Sequence, residues 1–124
     1  MIADTTFLSH LLRERDRGPG PATLFLAAHR TETLLITVIS VGELAVLFDT
    51  TREARLFVQR CRQLRLFPEV AYVAAEIDRE LIAQGLRLGE NDNWIAGFCR
   101  YYGQPLISQD AAFDRVAGLR RLAY

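Results

Sequence analysis

The sequence predicts a central parallel β-sheet covered on both faces by helices, an α/β/α sandwich, on three observations. Short apolar runs at Met1–Ala3, Leu34–Ile39 and Leu106–Ser108 alternate with segments of helical period. Those runs are apolar but for Thr37 and Ser108, as strands buried on both faces are. Acidic residues stand just beyond them, where the next element begins.

At 124 residues the chain fits one domain, 1–124, with one core. Half of the residues are hydrophobic and 24% are charged, the balance of an ordinary globular protein. Met1–Ala3 runs into Asp4-Thr5-Thr6, after which Phe7, Leu8, Leu11 and Leu12 recur at helical spacing, so the order is strand, acid, helix. Gly18-Pro19-Gly20-Pro21 is a turn that can extend neither neighbour, and a helix follows from Ala22 to about His29.

Leu34–Ile39 reads as a buried strand. Ser40 and Glu43 then match a capping box and open a helix carrying Leu44, Leu47 and Phe48. Thr50 or Thr51 restarts a helix with Leu56, Phe57 and Cys61 inward and Arg60, Arg62 and Arg65 outward. Leu66-Phe67 before Pro68 reads as a short strand, and Val73, Ile77 and Leu81 mark a helix from Val70 to Gln84.

Trp94, Ile95, Phe98, Cys99 and Tyr102 give Asp92–Tyr102 one broad buried face, and Gly103 ends that helix. Pro105 can only begin a strand, so Leu106–Ser108 crosses back through the core and releases Asp110 at its carboxyl end. A short helix around Ala111–Val116 and an edge strand at Leu119–Ala123 complete the chain.

Asp4, Glu43, Asp92 and Asp110 each begin an element after a strand, and each also has a capping role open to it. Capping does not require all four to share one edge of a sheet, whereas a right-handed parallel topology puts them there. Clustered carboxylates either share a proton or bind a hard cation. Mg2+ or Mn2+ suits such an oxygen-only set, and metal-assisted phosphodiester cleavage is the chemistry it supports.

Other chemistries lack parts. All fifteen basic residues are arginine, so the lysine of a phosphate loop or of receiver-type phosphotransfer is missing. His10 and His29 lie in helical segments and make no zinc pair or triad. Cys61 and Cys99 form no redox or zinc motif and read as buried thiols in a reducing compartment. Fifteen acids balance the arginines, so nucleic acid must be held by a local patch, for which Arg13, Arg15, Arg87 and Arg100 are candidates. No signal pattern or membrane-length apolar run appears, and a cytoplasmic protein is expected.

Ile-Ala-Asp-Thr-Thr near the start, Ser-Val-Gly-Glu-Leu, Asn-Asp-Asn-Trp-Ile-Ala, and Leu-Ile-Ser-Gln-Asp-x-x-Phe together resemble the PIN-domain family, particularly the VapC-like toxins. The resemblance spans nearly the whole chain. It implies a magnesium- or manganese-dependent ribonuclease whose metal-binding acids are Asp4, Glu43, Asp92 and Asp110, with Thr5, Thr6 and Ser108 as polar support. Some relatives carry an acid immediately before the phenylalanine, where this chain has Ala112, so Asp114 is an alternative fourth ligand. It also implies a homodimer neutralised by a small antitoxin, and the apolar share of so short a chain favours an interface involving Leu47, Phe48, Phe57 and Leu64. The rival readings are a PIN-like RNA- or protein-binding module that does not cut, and another magnesium-dependent phosphoesterase or DNA nuclease.

Overall fold

A computed structural model describes all 124 residues. Five two-residue strands form the parallel sheet: β1 (Ile2–Ala3), β2 (Leu35–Ile36), β3 (Arg62–Gln63), β4 (Leu106–Ile107) and β5 (Arg121–Leu122), in the order β3-β2-β1-β4-β5. Helices α1 (Thr5–Arg17) and α2 (Pro21–Ala28) join β1 to β2, α3 (Val38–Ala45) and α4 (Thr51–Val58) join β2 to β3, and α5 (Pro68–Ala83) and α6 (Glu90–Tyr102) join β3 to β4. A 3-10 helix, Ala111–Arg115, precedes β5.

Successive strand residues point to opposite faces, so the apolar pairs divide the core in two. Ile2, Leu35 and Leu106 pack with Val70, Ile77 and Leu81 of α5 and Ile95 and Phe98 of α6. Ala3, Ile36 and Ile107 pack with Phe7 and Leu8 of α1, Ala22 of α2 and Leu44 of α3. This two-sided burial is why the three central strands, β1, β2 and β4, are apolar at both positions, while the edge strands β3 and β5 carry arginine. It also sets the layers, with α5 and α6 on one face and α1 to α4 on the other.

Three element readings need correction. The second strand ends at Ile36, because Thr37 is buried and accepts the Ser40 amide at 3.0 Å, starting α3 at Val38. The β-branched pair Val38-Ile39 is therefore helical, tertiary packing having overridden local preference. The strand placed at Leu66-Phe67 is instead Arg62–Gln63, where Arg62 N reaches Leu34 O and Leu64 N reaches Ile36 O, both at 2.9 Å. Finally, α4 ends at Val58, so Cys61 lies in the turn that follows and Arg62 in the strand.

The helix ends follow their chemistry. Gly103 stops α6 in the left-handed region at φ 61°, which an L side chain rarely adopts. Glu14 reaches over the Gly-Pro turn and accepts the Gly20, Ala22 and Thr23 amides at 3.1, 3.1 and 2.7 Å, so a carboxylate supplies the cap that Gly20 lacks.

Candidate active site

The strand order reverses between β1 and β4, and ligands of open α/β sheets bind beyond the carboxyl ends of the strands at such a point. Ile2 pairs with Leu106 and Ala3 with Ile107, so the residues that leave these strands emerge side by side. Asp4 and Asp110 are among them. Asp4 is only 5% exposed and caps α1, its Oδ1 accepting the Phe7 amide at 2.6 Å. Asp110 caps the 3-10 helix, its Oδ1 accepting the Ala112 amide at 2.8 Å, while its own amide donates to the fully buried Ser108 Oγ at 3.0 Å.

Glu43 joins them from α3. Its Oε2 accepts the Thr5 hydroxyl and its Oε1 accepts the Asn91 amide at 2.7 Å, bridging α1, α3 and α6. The capping-box reading of Ser40 and Glu43 is thereby corrected: Thr37 is the cap, and Glu43, six residues on, is turned toward the other acids.

Asp92 likewise does not cap α6. Gly89 holds that position, and Asp92 is the third helical residue, half-buried in the first turn. Burial raises its carboxyl above the ordinary aspartate range, and the charges of Asp110, Glu43 and Asp4 raise it further, in that order. Asp4 is also raised, chiefly by burial with Asp110 adding to it, against the Ser108 hydroxyl, the Phe7 amide and His10, which favour its charged form. Four carboxylates from four separate segments thus share one electrostatic field at the carboxyl edge.

As they stand, no three His, Cys, Asp or Glu side chains converge tightly enough to enclose an ion. Like charges repel, and three of the acids are held by separate donors: Asp4 by Phe7, Asp110 by Ala112, and Glu43 by Thr5 and Asn91. The donor set is nonetheless all oxygen, and the capping bonds occupy only one oxygen each of Asp4 and Asp110, which suits a hard divalent cation that retains water.

Other sequence candidates divide. Thr5 contacts an acid of the group, whereas Thr6 is exposed and holds none of them. Ser108 supports both Asp110 and Asp4. Asp114 is drawn away from the group into a bidentate pair with Arg121 at 2.8 and 2.7 Å. Arg15, Arg87 and Arg100 are paired with Asp16, Asp78 and Glu80, while Arg13 donates only to Ser9 Oγ at 3.2 Å. Burial pushes the thiol of Cys99 up to about 12 and that of Cys61 up to about 11, so neither is a thiolate nucleophile near neutral pH.

Two features were not legible beforehand. Asn91 sits in an Asn-Asp-Asn run that marks a helix start, but nothing in the run indicates that its partner is Glu43, forty-eight residues away. Tyr124 closes over α1 and α2, its hydroxyl 2.8 Å from His10 Nδ1 and its ring edge-on to Phe7 and Phe25.

Known proteins share this architecture. The structure of VapBC2 from Rickettsia felis, bound to a DNA fragment from its promoter, matches with a TM-score of 0.80 at 18% identity, over 99% of this chain and 97% of that one. DNA-bound VapBC from Salmonella typhimurium gives 0.79 at 19% identity, over 98% and 96% of the two chains. FitAcB from Neisseria gonorrhoeae gives 0.78 at 21% identity, over 98% and 95%. At these identities the likeness is one of fold. No curated protein matches in sequence. The family model of the PIN domain matches residues 1–119, from the strand before Asp4 to beyond Asp110, and the chain belongs to the PIN-domain family.

Proposed function

We propose that this PIN domain is a divalent-metal-dependent endoribonuclease and the toxin of a toxin–antitoxin pair. The observation that carries the proposal is the common field of Asp4, Glu43, Asp92 and Asp110, which raises the Asp92 carboxyl and lies at the switch point of the sheet. Capping accounts for two of these acids but not for Glu43 or Asp92.

Asp4, Asp92 and Asp110 would hold Mg2+ or Mn2+, with Glu43 orienting the metal or its water. When bound, such an ion lowers the pKa of a coordinated water and neutralises phosphate charge. Thr5 and Asn91 fix the Glu43 carboxylate from both oxygens, and Ser108 steadies Asp110 through its amide. Of the four candidate arginines, Arg13 alone has no carboxylate partner, which leaves its guanidinium available to an RNA phosphate.

The neighbours named VapBC and FitAcB support a small antitoxin as partner. Apolar surface for an antitoxin or a second copy of this chain is at hand in Leu24, Val46, Leu47 and Leu56, each more than half exposed. Phe48 and Phe57 back it with rings 5.6 Å apart, whereas Leu64 is buried and belongs to the core. No helix is long and apolar enough to cross a membrane.

The deciding experiment is cleavage of RNA, and of DNA of the same sequence, in Mg2+, in Mn2+ and in EDTA. Metal-dependent cleavage of RNA alone is expected. Full activity in EDTA would end the metal reading, and equal cleavage of DNA would replace the ribonuclease with a general nuclease.

A further inference from the structure

A chain of zero net charge has to hold RNA with a local patch, and three of the four arginines singled out from the sequence are spent on carboxylates. The arginines that are not spent gather on one stretch. From Ala54 to Pro68 the chain carries no acid, and Arg55, Arg60, Arg62 and Arg65 are all exposed and form no ion pair. Arg60 and Arg62 flank Cys61 where β3 begins, at the edge of the sheet, and Arg65 follows that strand.

Just past Arg65 the surface turns aromatic. Phe67 and Tyr101 are each 39% exposed, with ring centroids 6.4 Å apart. The Tyr102 hydroxyl donates to Arg65 O at 2.5 Å and fixes the arginine segment against the end of α6. Charge on an edge strand guards it against pairing with another sheet, which accounts for Arg62. It does not account for the rings beside it, because exposed apolar side chains invite association. Unpaired guanidinium groups leading to exposed aromatic faces are the combination that holds single-stranded nucleic acid, with phosphates on the cations and bases on the rings.

We infer that the β3 edge is a second RNA contact, separate from the carboxylate site, in which Arg60, Arg62 and Arg65 bind phosphates and a base stacks on Phe67 or Tyr101. The inference rests on the ribonuclease reading for its choice of ligand. The rings favour RNA over an acidic polypeptide, whose carboxylates they do not serve. Tyr101 and Asp92 lie toward opposite ends of α6, about 14 Å apart along its axis. RNA that reaches both sites therefore extends several nucleotides beyond the cleaved bond, and a short fragment reaches only one. The contact selects for a length of single strand rather than for sequence, because every base has a face to stack.

The test is the anisotropy of dye-labelled single-stranded RNA bound to the full chain in EDTA, comparing about 16 nucleotides with a tetranucleotide. The longer RNA should bind at least about tenfold more tightly, as expected when several phosphates and a base are added to the contact. The combined variant Arg60→Gln, Arg62→Gln, Arg65→Gln should remove that advantage and flatten the plot of log affinity against log salt by about 2, at about 0.7 per phosphate. Removing the same charge elsewhere, by Arg15→Gln, Arg17→Gln and Arg79→Gln, should leave the slope unchanged. Phe67→Ser and Tyr101→Ser together should weaken the longer RNA about fivefold or more and spare the tetranucleotide. All of these residues are exposed, so the variants are expected to fold, and their melting temperatures check it. Absence of cleavage in Mg2+ and Mn2+ with length-dependent binding intact would remove the nuclease and leave the surface. Equal affinity for the two lengths, or equal flattening in the charge-matched control, would overturn the surface. Displacement of the RNA by poly-glutamate, with no loss of affinity in the Phe67 and Tyr101 variant, would assign it to an acidic polypeptide instead.

Discussion

Asn91 donates to Glu43 Oε1 at 2.7 Å, tying the first turn of α6 to α3. The other oxygen accepts from Thr5, so Glu43 is held from two helices at once. Loss of a partner that orients an active-site group typically costs about 10–100-fold in activity or metal affinity. Asn91→Ala should therefore reduce cleavage by about that factor with little change in melting temperature, since Asn91 is exposed. Unchanged kinetics would show that Glu43 needs no orientation from α6.

Asp4→Asn and Asp92→Asn should abolish cleavage while the domain stays folded. Asn caps nearly as well as Asp, so the Phe7 bond survives at position 4, and removing one of four repelling charges preserves or slightly raises stability. Mg2+ or Mn2+ should raise the melting temperature of the wild type by mass action and much less in the variants. Unchanged cleavage in both variants would leave these residues with a capping or packing role only.

The pH dependence of stability has a definite sign. Asp4 and Asp92 titrate above their ordinary value of 3.8 in the folded chain, so the folded state binds more protons than the unfolded one between 3.8 and the raised values. Their contribution to stability accordingly falls as pH rises through that window. Glu14, Asp16, Glu80 and Asp114 titrate below their ordinary values and contribute the opposite trend, so Asp92 is isolated by difference: thermal unfolding in EDTA should show Asp92→Asn gaining stability relative to the wild type as pH rises through the window. Identical slopes would mean that neither burial nor the neighbouring charges raise the Asp92 carboxyl.

Asp110 and Asp114 make opposite predictions. Asp114 is committed to Arg121, so Asp114→Asn should retain most of the cleavage activity, whereas Asp110→Asn should lose it while keeping the Ala112 cap. The reverse result would make Asp114 the fourth ligand, with the Arg121 pair opening to release it.

Two glycines separate packing from propensity. Gly97→Ala must displace Ala74 and backbone atoms of α5, which should cost about 1–3 kcal/mol. Gly42→Ala, exposed in α3 with nothing within 4 Å, should stabilise by about 0.5–1 kcal/mol. Chemical denaturation of both variants measures the difference.

Local chemistry determined a good part of this protein. Short apolar runs marked β1, β2 and β4, one-turn spacing marked α5 and α6, and Gly103 marked the end of α6, because burial and the left-handed region each demand particular residues in place. Asp4 and Asp110 could be read as caps for the same reason, since a cap serves amides two or three residues away. The tertiary structure alone decided the rest. Arg62–Gln63 is a strand through its neighbour's backbone and carries no apolar signal, and Val38-Ile39 is helical because buried Thr37 caps the turn. Which oxygen atoms face one another at the carboxyl edge was likewise beyond local reading. The Asn91–Glu43 bond spans forty-eight residues, and the field on Asp92 comes from Asp110, Glu43 and Asp4, so these relationships arise only when the sheet order brings separate segments together.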